Sequence, residues 1–202
     1  MQRHFTLEAF RGRGPSVSMC FDASPWGAGG FLMIDGVLQS WFTTAFTEVD
    51  EQAVGLAFGS STCQQVAEAL AILFGLRAWL SAWQDKAPRF EVRSDSVTAL
   101  SMVARMQTSS PHVGVVAREV ALTLSCACVR PCVIAHTPGV ANKLADTLSR
   151  RYSQAWLGST PQRWHSLLSA SCRCAARRTT VAGEIQVLNE IPRCKCGFLG
   201  IS

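Results

Sequence analysis

Between Val66 and Gln84 the chain runs through Ala, Leu, Ile, Phe, Arg and Trp without a proline, with apolar side chains on more than one face of the helix this stretch would form. Such a helix, about five turns long, needs apolar matter on more than one side and is predicted to be central and mostly buried. The residues before it supply a sheet. Val17, Met19 and Phe21 alternate with Ser16, Ser18 and Cys20; a Gly-rich turn leads into Phe31 to Ile34; Asp35-Gly36 makes a tight turn, and Val37 to Phe46 continues extended. Three antiparallel strands are expected. Further on, Phe90 to Arg93 reads as a short strand, Ser94-Asp95-Ser96 as a helix N-cap, Val97 to Met106 and Val113 to Ser125 as helices, and Val129 to Ala135 as a last strand. Pro138-Gly139 then turns the chain into a helix from Asn142 to Arg151. The order β-β-β-α-β-α-α-β-α predicts an α/β domain: a five-stranded mixed sheet, three antiparallel strands followed by strand-helix crossovers, flanked by helices.

Composition narrows the class. Hydrophobic residues make up 48% of the 202 positions and charged ones 16%, enough apolar surface to offset the entropy of folding. The longest apolar run, Ala69 to Leu76, is far short of the roughly 20 residues of a membrane span. MQRHFTLEAF at the start lacks the features of a secretory signal, and nine irregularly spaced cysteines predict few or no disulfides. An intracellular location, cytoplasmic or nuclear, is expected, with no membrane partner. Residues 1–146 hold 11 basic and 12 acidic side chains, whereas 147–202 hold 8 basic and 2 acidic. This divides the chain into a flexible leader, 1–14, a domain, 15–151, and a basic, Cys-containing tail, 152–202, partly helical or disordered. The tail's charge suits either a polyanion or a solvated end. Its close pairs, Cys172 with Cys174 and Cys194 with Cys196, are spaced more tightly than zinc sites usually are.

Four carboxylates sit beside apolar sequence. Asp22 and Asp95 end strands, Glu68 lies near the start of the apolar helix, and Asp146 lies between Leu144 and Leu148. Each has an ordinary reading: a turn for Asp22, a cap for Asp95, a first-turn acid for Glu68, a partner of Lys143 or Arg150 for Asp146. A buried carboxylate is costly unless paired, protonated or bound to metal, and Arg77 is the only basic residue between Glu68 and Lys86. Oxygen ligands suit Mg²⁺ or Mn²⁺ better than zinc.

Four segments in this order, FDASPWGAGGFL at 21–32, EALAILFGLRAWL at 68–80, RSDSVTAL at 93–100 and HTPGVANKLADTLSR at 136–150, carry a family resemblance. Over about residues 15 to 151 the sequence resembles the ribonuclease H domain of reverse transcriptase polyproteins from retroelements of the retrotransposon and pararetrovirus-like kind. The resemblance implies a ribonuclease H-like fold, to which the basic tail read from charge is a C-terminal extension. It implies hydrolysis of the RNA strand of RNA/DNA hybrids with two Mg²⁺ ions, replaceable by Mn²⁺ and with no organic cofactor, and a polymerase domain as a further partner.

By the same resemblance, Asp22, Glu68, Asp95 and Asp146 are the metal-binding acids, with Asp22 bridging, and His136 is a mobile-loop histidine that relays a proton or helps product leave. Asn142 matches the family's intervening asparagine and is expected at the substrate; Trp26, Gly27, Ala28 and Gly29 suit either close approach of a hybrid or a simple hairpin turn, and Ser96 either a phosphate contact or the helix cap alone. Glu48, Asp50 and Glu51 are rivals for the second acid, and the stretch holding them is longer than expected. RMQTSSPHVG at 105–114 is too short and polar for a basic, Trp-containing substrate-handle helix. A different class of function is a catalytically inactive scaffold of the same fold that binds nucleic acid or a polymerase subunit.

Overall fold

A computed structural model describes residues 14–83, 88–127, 131 and 133–153, together with Leu7. The expected leader therefore lies outside the described residues except for Leu7 and Gly14. The basic tail with its Cys172, Cys174, Cys194 and Cys196 lies outside them beyond Tyr152 and Ser153. Strands β1 (Ser16–Ser24), β2 (Gly27–Ile34) and β3 (Val37–Ala45) come first, followed by helix α1 (Glu48–Val54), a 3₁₀ turn (Ser61–Cys63), α2 (Gln64–Ala78) and the short α3 (Leu80–Trp83). Then come β4 (Arg89–Ser94), α4 (Val97–Arg105), α5 (Pro111–Ala127), β5 (Val133–His136), α6 (Lys143–Ser149) and a 3₁₀ turn (Arg150–Tyr152). The sheet order is β3-β2-β1-β4-β5. β1 to β3 pair antiparallel, and β4 and β5 add in parallel on the other side of β1, so the expected five-stranded mixed sheet is present.

Local chemistry sets the meander. Ile34 pairs with Val37 across a two-residue loop in which Asp35 and Gly36 take φ of 51° and 79°, the doubly left-handed geometry that matches strand twist in a tight hairpin. The Asp35 carboxylate also accepts from the Ser16 amide at 2.9 Å, tying the turn to the start of β1. The alternation read in β1 is not an alternation of burial. Ser18, Cys20 and Asp22 are buried along with Val17, Met19 and Phe21, because β1 is the middle strand and is packed by helices as well as by its neighbouring strands.

Every residue of α2 from Val66 to Leu76 is buried. β1 and β2 cover one side of the helix, and α4 and α5 cover the other. The Arg77–Glu119 ion pair, at 2.5 Å, ties α2 to α5. The predicted 66–84 helix is interrupted at Trp79, whose φ of −110° and ψ of 17° leave the helical region. Its indole stacks on Phe21, meets Phe42 edge-on with centroids 5.4 Å apart, and donates to Ser40 Oγ at 3.1 Å. Tertiary contacts thus take over where the helical pattern would continue.

α1 was not anticipated, although its signal is local. Thr47 and Asp50 form a capping box, and Gly55 closes the helix with a left-handed φ of 69°. Among the described residues, Cys20 and Cys63 are buried free thiols. No helix among the described residues is long and apolar enough to cross a membrane.

Gly75 is where α2 meets the sheet most closely. A Cβ there would stand 2.0 Å from Cε1 of the buried Phe21 ring, which already packs against Trp79 and Phe42. Gly75→Ala is expected to lower stability by about 2 kcal/mol through overpacking, despite alanine's better helix propensity. Urea denaturation measures this, and an unchanged or higher midpoint contradicts the packing described.

Candidate functional site

β1 and β4 run parallel with Phe21 opposite Ser94, so Asp22 and Asp95, the next residues, come to neighbouring positions. α2 brings Glu68 to the same place. One carboxylate oxygen from each of Asp22, Glu68 and Asp95 lies within 4.8 Å of the others. Asp22 and Glu68 are buried and Asp95 is half-buried.

Crowding acids out of water favours their protonated forms. The Asp22 carboxyl is pushed up to about 7, chiefly by burial and further by the charges of Asp95 and Asp146, against the opposing pull of the Ser149 hydroxyl and Arg150. Burial, with Asp22 and Asp95 adding to it, pushes Glu68 up to about 9. The Gln64 amide nitrogen donates to Glu68 Oε1 at 2.6 Å and to the Ala23 carbonyl at 2.9 Å, fixing the acid against β1. Glu68 Oε2 is buried with no hydrogen-bond partner. Arg77 pairs with Glu119, so it does not neutralise the cluster as an ion-pair partner. Three clustered carboxylates with an orphaned buried oxygen form an all-oxygen donor set that fits a hard divalent cation.

The rival acids are occupied elsewhere. Asp50 is the capping-box partner of Thr47, and Glu51 accepts from the Phe58 amide at 2.8 Å. Glu48 is exposed in the first turn of α1. Asp146 is outside the group of three, though its charge reaches Asp22. It is held by Arg150 across one helical turn at 2.5 Å, the helical-spacing partner open to it from sequence, with side chains 40% and 57% exposed respectively.

α6 is seated by small and hydroxyl-bearing residues of the sheet. A Cβ on Gly29 would stand 2.4 Å from Leu148 Cβ and 2.5 Å from the Ser149 nitrogen, so only glycine permits this approach. Thr43 donates to the Leu148 carbonyl at 2.7 Å and Ser24 to the Ser149 carbonyl at 2.8 Å, satisfying two acceptors that a helix end leaves open. Ser149 in turn donates to Asp22 Oδ2 at 2.6 Å.

The residues expected at the substrate divide by burial. Trp26, in the β1–β2 turn, is 44% exposed. Ser96 caps α4, its hydroxyl accepting from the Ala99 amide, which is the capping alternative open to it from sequence. Gly27, Ala28 and Gly29 are buried within β2 and pair with both neighbouring strands, and a Cβ on Gly27 would stand 2.3 Å from the Thr44 carbonyl oxygen. Asn142 is 2% exposed, and its amide donates to the Phe21 carbonyl at 2.9 Å, anchoring the start of α6 to β1. All four take part in the packing of the sheet and α6. His136 is exposed at the end of β5, in register with Ser94. Beyond it the Pro138-Gly139 loop passes close to Asp95, where a Gly139 Cβ would stand 3.3 Å from Oδ2.

Gln64 and Ser149 were missed from sequence. Gln64 stands one helical turn before Glu68, a spacing that places both on one face. Ser149 carries no comparable signal, since its partner Asp22 is 127 positions away.

Residues 49–152 match the family model described as reverse transcriptase-like. Among solved structures, the chain is similar to RNase H1 of the halophilic archaeon Halobacterium salinarum NRC-1, with 19% identity and a TM-score of 0.50 over 68% of this chain and 96% of that one. It is similar also to LC11-RNase H1, isolated from compost by a metagenomic approach, with 19% identity and a TM-score of 0.51 over 71% of this chain and 99% of that one. No curated protein sequence matches. These likenesses establish the ribonuclease H-like fold.

Asp22 and Glu68 keep their protons in the folded chain at pH values where the unfolded chain, with ordinary values of 3.8 and 4.5, has lost them. Their contribution to stability is therefore greatest in acid and declines as pH rises from about 4 toward 9. Glu68→Gln is expected to raise the melting temperature of the metal-free chain at pH 8 by about 5 °C and to flatten its fall between pH 5 and 9. A wild-type melting temperature that rises steadily over that interval contradicts the assignment.

Proposed function

The chain belongs to the reverse transcriptase-like family, and from that premise we propose that it is a divalent-metal-dependent endonuclease cutting the RNA strand of RNA/DNA hybrids. The observation that carries this reading is the convergence of Asp22, Glu68 and Asp95 from two strands and a helix of a ribonuclease H-like fold. The domain is assigned to residues 15–151, and the polypeptide of origin to a retroelement polyprotein that also supplies a polymerase.

Asp22, Glu68 and Asp95 would hold Mg²⁺, for which Mn²⁺ would substitute, and Asp146 would complete a site for two ions from α6. Ions bound there would stabilise charge developing on phosphate oxygens and make an attacking water more acidic. The protein contributes a fixed, partly dry cradle. Gln64 keeps Glu68 aimed at the cluster and Asn142 keeps α6 on β1. For Asp146 to join, its ion pair with Arg150 must loosen, a modest cost for an exposed pair. His136 stands beside the Ser94–Asp95 end of β4 on a segment that ends in Pro-Gly, placed to exchange a proton with a leaving group. Trp26 offers an exposed ring for stacking or groove contact, and Ser96 a half-buried hydroxyl near Asp95.

Cleavage of an end-labelled RNA/DNA hybrid with Mg²⁺ tests the reading. Wild-type chain is expected to cut the RNA strand, and Asp22→Asn, Glu68→Gln and Asp146→Asn each to reduce the rate at least about a hundredfold. Hybrid bound but never cut by the wild type would replace the nuclease by the inactive scaffold. Preference for plain duplex DNA would overturn the choice of substrate.

A further inference from the structure

The last turn of α6 carries a hydroxyl without a part in the chemistry above. Ser149 is fully buried, and its Oγ lies 2.6 Å from Asp22 Oδ2 and 2.9 Å from the Asp146 carbonyl. One hydroxyl proton serves one acceptor well, and the nearer carboxylate is the stronger of the two. The same carboxylate is the member of the acid cluster on the central strand, buried beside Glu68 and within reach of the charges of Asp95 and Asp146.

We propose that Ser149 is a positioning residue for Asp22, setting the orientation of its carboxylate so that the site is formed before a divalent ion arrives; this rests on the metal-binding reading given above. A carboxylate among like charges turns away from its neighbours unless a donor fixes it. Ser149 is the donor, and its own place is set by the sheet. Thr43 and Ser24 grip the two final carbonyls of α6, and the missing side chain of Gly29 lets that turn lie directly on β2. The turn that carries the hydroxyl is thus held by three strands at once. Partners of this kind, one step removed from the ion, typically alter metal affinity by ten- to a hundredfold when removed.

A purely structural tether between α6 and β1 would show itself differently, as lost stability in the absence of metal. The two are separated by measuring Mn²⁺ binding from the EPR signal of the free ion, together with the melting temperature in EDTA, for the full wild-type chain, S149A and S149T. S149A is expected to raise the Mn²⁺ dissociation constant about tenfold while moving the EDTA melting temperature by less than about 2 °C, and S149T to recover affinity to within about threefold. An S149A chain that binds Mn²⁺ as tightly as the wild type overturns the proposal. So does one whose EDTA melting temperature falls by more than about 5 °C while S149T restores stability without restoring affinity. A wild type that shows the Ser149 dependence in Mn²⁺ binding yet cuts no hybrid overturns the nuclease reading alone. Normal cutting with unaltered Mn²⁺ affinity in S149A overturns the role of Ser149 alone.

Discussion

Two acids held out of water beside a third are the constraint around which this chain is arranged. Asp22 and Glu68 are raised to about 7 and about 9 mainly because the apolar core that builds the fold also withdraws solvent from them. The cost is local, and its support comes from elsewhere. β1 is buried on both faces, α2 along eleven consecutive residues, and Phe21, the residue before Asp22, packs with Phe42 and Trp79. A loosely packed protein would relax until its carboxylates reached water. Here the dense packing behind Asp22 keeps that route closed.

The topology then decides which acids meet. In parallel neighbours such as β1 and β4, the chain leaves both strands at the same edge of the sheet, so residues just past equivalent register positions are adjacent. Open α/β sheets commonly bind their ligands at such carboxyl ends. The antiparallel side of the sheet contributes differently. β2 and β3 provide the glycine and the threonine against which α6 is seated, so strands without an acid of their own still determine where Ser149 and Asp146 stand.

Much of this was legible in the sequence because it is encoded over short distances. The Asp35-Gly36 hairpin, the apolar helix and the end of β4 just before Asp95 follow from neighbouring residues, whereas the first strand does not end at Asp22 as expected but runs on to Ser24, paired with β2. The burial of the polar side of β1 was not legible, since Ser18 and Cys20 carry no mark of a middle strand with cover on both faces. α1 was legible in principle from Thr47 and Asp50, but the acids that form its first turn also looked like candidate ligands, and that reading obscured the capping box. The two ordinary pairings that sequence left open, Ser96 as a cap and Arg150 as the partner of Asp146, are both present. What sequence could not supply was anything set by tertiary proximity: the diversion of Arg77 to Glu119, the break at Trp79 and the contact of Ser149 with Asp22.

That last contact joins positions 127 residues apart, and the cluster itself draws on residues 22, 68 and 95. Such contacts are non-local, so the cradle is complete only once α6 has docked on the sheet. On a ribosome, the meander and α2 emerge well before α6. An emerging polypeptide would hold its first three acids without the hydroxyl that steadies Asp22, and tight capture of an ion would mark the moment when the final helix has docked.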